Sequence, residues 1–148
     1  MQRPIKWIRS ESLTVSEQKY NMKQIHRFVI KCFSKSDLII KLKNNMFYLT
    51  GYVGLSDYSE KWIWIANDQN NNEQIISLLH EFFHFYFHDQ QDNRKRIPKN
   101  QDKDPIERRA ENSAENTLSW YKKNTKKFNE LKRYVATIQV EECDLDEF

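Results

Sequence analysis

Apolar residues recur at helical spacing over residues 15–33, where Met22, Ile25, Val29, Ile30 and Cys32 fall on one face. Thr14 or Ser16 suits the cap of that helix, and His26 rides on it as a partly exposed structural residue. The period then shortens to two. Residues 37–43 (DLIIKLK) predict a strand, and Asn44-Asn45 a tight turn, since Asn tolerates positive φ. NMFYLTGYV predicts a second strand, with Gly51 and Gly54 marking a bulge or bend. A third strand, KWIWIA, sets Trp62 and Trp64 on one face and Ile63 and Ile65 on the other. The polar run NDQNNN breaks the pattern. A helix then runs from about residue 72 or 73 to 88, apolar nearly all round, as a central buried helix is.

Residues 90–103 are polar and charged and predict a long loop. Asp104 suits an N-cap, Pro105 the first helical position and Glu107 the third, so a helix restarts there and carries IERRAENSAENTLSWYKK. A last helix or strand covers residues 128–140. Together these elements predict an α+β fold: an N-terminal helix, a three-stranded, mostly antiparallel sheet, a central helix and C-terminal helices. Residues 1–140 form one domain, and 141–148 an acidic tail.

Composition narrows the class. The 148 residues are 39% hydrophobic and 30% charged, enough for one soluble core. No apolar run reaches the roughly 18 residues of a membrane span, and none near the N-terminus has signal-peptide character. Two cysteines, Cys32 and Cys143, build no disulfide framework, which suits a cytoplasmic setting. The formal net charge of +3 does not by itself call for a nucleic-acid or membrane partner. The basic run at 122–133 is expected to be a solvated face.

The chemistry sits in LLHEFFHFYFHD, residues 78–89, which holds three of the four histidines. His80 and His84 are four apart, so a helix puts both rings on one face, within reach of one Zn2+. Glu81 lies about 100° round the helix, placed to take a proton from water at the metal's open position as general base. Two histidines and a carboxylate in so apolar a helix need partners, and a metal supplies them. The third ligand is open between His88 and a downstream carboxylate. Eight residues of straight helix span about 12 Å, so His88 fits better beside the cleft. Glu107, on the first turn of its own helix, is the better ligand. Glu111, one turn on, can accept the free N–H of a ligating histidine. Asp104 and His88 stay as alternatives.

HEFFHFYFH followed by IERRAENSA resembles the ImmA/IrrE-type metallopeptidases. The resemblance covers residues 47–118 and implies a small zincin-like catalytic domain. It implies His80, His84 and Glu107 as zinc ligands and Glu81 as catalytic base, with Ala110, Glu111 and Ala114 completing the second motif. It further implies a cytoplasmic, bacterial or mobile-element endopeptidase that acts on a regulatory protein such as a DNA-binding repressor. The alternative is a catalytically silent zinc protein that binds such a partner without cutting it. The strand bearing Trp62 and Trp64 is the expected docking edge for an extended peptide.

Overall fold

The computed structural model describes residues 15–34, 37–87, 94–96 and 104–148. The first helix, α1 (Val15–Ser34), buries Met22, Ile25, Val29 and Cys32 along one stripe. Strand β1 (Ile39–Asn44) leads into a short helix, α2 (Met46–Thr50), and then strands β2 (Gly54–Asp57) and β3 (Trp62–Ala66). The central helix α3 (Asn71–Tyr86) follows, then strand β4 (Arg94–Arg96) and helices α4 (Pro105–Lys123) and α5 (Thr125–Val135). Strand β5 (Gln139–Glu142) and a 3-10 turn, Leu145–Glu147, close the chain.

The architecture is α+β, but the sheet differs from the expected one. Among the described residues it has five strands in the order β4-β2-β3-β1-β5. It is mixed: β1 runs parallel to β3 and to β5, while β2 runs antiparallel to β3 and to β4. The segment read as a second strand is helix α2 instead. Asn45 at φ 64 opens that helix and Gly51 at φ 77 closes it, two left-handed residues that turn the chain twice. The Asp68 carboxylate accepts hydrogen bonds from the N–H groups of Phe47 (2.9 Å) and Tyr48 (2.8 Å) and so caps α2 from a distance. The expected loop at 90–103 contains β4, and its other residues lie outside the described ones.

The helix starts follow from the caps. Asn70 accepts from the N–H of Glu73 at 2.8 Å, and Asp104 from that of Ile106 at 2.9 Å, with Pro105 next. The main core fills the space between the sheet and α1, α3, α4 and α5. Ile63 and Ile65 face Phe82, Phe83, Leu78 and Leu79 there. Ala110 and Ala114 are fully buried and let α4 come close to α3. A second, smaller cluster lies on the other face of the sheet, where Trp62 and Trp64 stack (ring centroids 4.3 Å apart) over Met46, Leu55 and Ala66.

The division at residue 140 cuts through β5. Lys43, wholly buried on that second face, is paired by Glu141 and Glu147 and lies 4.3 Å from the Trp64 ring. Phe148 packs edge-on against Trp64. The last residues thus cover the tryptophan face.

Candidate metal centre

Helix α3 supplies His80, Glu81 and His84, and α4 supplies Glu107 and Glu111. The α3 stripe that faces α4 is polar because the two helices meet through these groups. Glu107 Oε1 lies 3.1 Å from His80 Nε2, and Glu107 Oε2 lies 2.9 Å from His84 Nε2. One ligand atom from each of the three residues can be chosen so that all lie within 4.8 Å of one another, and all three side chains are buried. Donors held about 2.0–2.1 Å from a tetrahedral ion stand about 3.3 Å apart, so these separations suit a small divalent cation.

The proton inventory points the same way. His80 has a carboxylate at each ring nitrogen: Glu111 Oε1 is 2.8 Å from Nδ1, and Glu107 is at Nε2. A neutral imidazole has one N–H, so it can serve only one of them. If Nδ1–H donates to Glu111, the Nε2 lone pair faces the Glu107 carboxylate, acceptor against acceptor. A cation among His80 Nε2, His84 Nε2 and Glu107 satisfies all three without further protons. Burial alone pushes the Glu107 carboxyl up. The hydrogen bonds and charges of His80 and His84 outweigh that and hold it well below the usual range.

Glu81 is wholly buried on the flank of this trio. Neither of its oxygens makes a well-formed hydrogen bond among the described residues. The Ser56 hydroxyl is near enough to favour the charged form, as are His80 and His84. Burial is the largest influence, and it raises the pKa. The carboxylate lies over Gly54 of β2, where a Cβ would come within 2.9 Å of Oε2. Strand β2 thus makes the notch that holds Glu81. Gly54 stood out in the sequence, but as a bend. The observed reason is close approach of a side chain, and Ser56 gave no signal of its own.

A family model described as the IrrE N-terminal-like domain, Peptidase_M78, matches residues 38–138. The chain belongs to this family. It therefore carries a metallopeptidase-like domain, and the matched span holds every residue of the trio together with β2 and Glu81. Comparison with curated proteins and with solved structures found no match.

The remaining expected site residues fall elsewhere. His88 lies outside the described residues. Trp62 and Trp64 stand on the sheet face away from Glu81, and β3 is flanked by β2 and β1. It offers no free edge, so the docking role assigned to it is not supported. Among the described residues β4 has no neighbour on its outer side, and it pairs with the strand that holds Glu81. His26 is buried rather than partly exposed. Its Nδ1 is 2.7 Å from Tyr121 Oη, and its Nε2 is 2.7 Å from Glu130 Oε1. No helix among the described residues is long and apolar enough to cross a membrane.

Proposed function

We propose that the chain is a zinc-dependent endopeptidase, with His80, His84 and Glu107 holding the metal and Glu81 as general base. Its substrate on this reading is a regulatory, repressor-like protein. The observation that carries the proposal is the convergence of the three buried ligand groups beside a buried carboxylate without a well-formed hydrogen bond. Zinc bound there supplies a Lewis acid for the scissile carbonyl and lowers the pKa of the attacking water. Glu81 takes the proton from that water and returns it to the leaving amine. Gly54 keeps space for the Glu81 carboxylate, and Ser56 steadies it. Glu111 holds His80 in the tautomer that leaves Nε2 free. An extended peptide that adds to the outer edge of β4 lies on the strand next to the Glu81 notch, with main-chain hydrogen bonds for register.

The test compares wild type with Glu81→Gln for zinc content and for cleavage of an unfolded protein substrate. The expected result is unchanged metal and fold with hydrolysis down about 10²–10⁴-fold, the usual contribution of a general base. Equal behaviour of the two proteins toward a binding partner, with no cleavage by either, would favour the silent zinc regulator.

A further inference from the structure

Residues 122–133 hold six cations, Lys122, Lys123, Lys126, Lys127, Lys132 and Arg133, against one acid, Glu130. That acid is engaged first by His26, and of the six cations Lys127 and Arg133 are the ones that act on its charge. The Glu130 carboxylate accepts a hydrogen bond from the ring of His26, buried beneath α5, while all six cations are exposed. Among the described residues none of the six reaches an acidic side chain at ion-pair distance. Four of the lysines crowd the corner at Asn124 where α4 ends and α5 begins. A cavity of about 380 Å³ opens beside them, lined by Lys126, Lys127, Asn129, Glu130 and Arg133. Of the five carboxylates of residues 139–148, which belong to β5 and the closing turn, two are drawn onto Lys43.

We propose that the α4–α5 corner is a binding site for the phosphate backbone of duplex nucleic acid. The surface chemistry selects this class of ligand. A membrane-surface helix needs large apolar side chains to insert, and α4 and α5 expose none. Single strands are held by stacking on exposed aromatics. The aromatics here, Trp120, Phe128 and Tyr134, are partly buried against the core or neighbouring rings. What is left is a run of point charges, five of the six from lysine, spread over two helices. That matches regularly spaced phosphates and gives no base reading. The site is separate from the metal centre, so its test does not depend on the peptidase reading.

The experiment titrates a labelled 20-base-pair duplex with the full chain at 50 and 200 mM salt. The expected result is binding that weakens roughly 10²–10³-fold across that range, as counterion release by about four to six contacts requires. The variant Lys122→Gln/Lys123→Gln/Lys126→Gln/Lys127→Gln is expected to keep its melting temperature and to lose at least about 30-fold in affinity. No binding by wild type at 50 mM salt overturns the proposal, as does equal binding by a folded variant. It also fails if polyglutamate or phosphatidylserine vesicles compete as well as duplex at equal charge, or if single strands bind more tightly.

Discussion

At the residue scale, the spacing of His80, Glu81 and His84 was legible because helix geometry is local: four residues make about one turn. Glu107 was legible because its helix announces its own start with Asp104-Pro105. The cradle of Glu81 was not, because it joins residues 54 and 81 across a sheet–helix contact that no local pattern encodes. It yields a sharp expectation. Gly54→Ala brings a methyl to 2.9 Å from Glu81 Oε2. Overpacking of this kind costs about 1–3 kcal/mol. The displaced carboxylate should lower hydrolysis while zinc content stays near wild type. Unaltered hydrolysis by a folded Gly54→Ala protein would remove β2 from the catalytic arrangement. Glu111→Gln tests the other support. Weakening the acceptor at His80 Nδ1 should lower zinc affinity about 10–100-fold, read by competition with a chromophoric chelator.

At the element scale, the strands with strict alternation and the capped helices could be read directly. Helix α2 could not, since MFYLT carries strand-forming residues and its cap, Asp68, lies 21 and 20 residues away in sequence from the N–H groups it accepts from. That long-range cap predicts that Asp68→Ala costs about 1 kcal/mol, seen as a lower urea midpoint. Strand β4 is three residues of Arg and Lys, and β5 is QVEE, so hydrophobicity marks neither. Both join the sheet through backbone pairing, β4 with β2 and β5 with β1. Parallel pairing of β1 with β3 and β5 depends on the crossovers between them, which is why an antiparallel sheet was the simpler expectation.

At the scale of the whole molecule, the acidic end is a structural part of the sheet. Deleting residues 141–148 uncovers Trp64 and leaves buried Lys43 without its counterions, a loss of about 1–3 kcal/mol, less than for a fully buried pair because both carboxylates are partly exposed. A frayed tail would leave the melting temperature unchanged. Hydrogen bonds from Lys43 and then Lys41 hold Glu141 below the usual carboxylate range. The folded chain therefore binds fewer protons there than the unfolded one. The stability from this group is full above the unfolded value of about 4.3 and is lost as pH falls through the lower folded value. The urea midpoint of wild type should thus fall more steeply below about pH 5 than that of Glu141→Gln. The central claim is that His80, His84 and Glu107 form one metal centre. Calorimetric titration of metal-free protein with zinc tests it most directly. One site is expected in wild type and in Glu81→Gln, and none of comparable affinity in His80→Ala, His84→Ala or Glu107→Ala. Zinc bound as tightly by a folded Glu107→Ala protein, or not at all by wild type, would contradict the account.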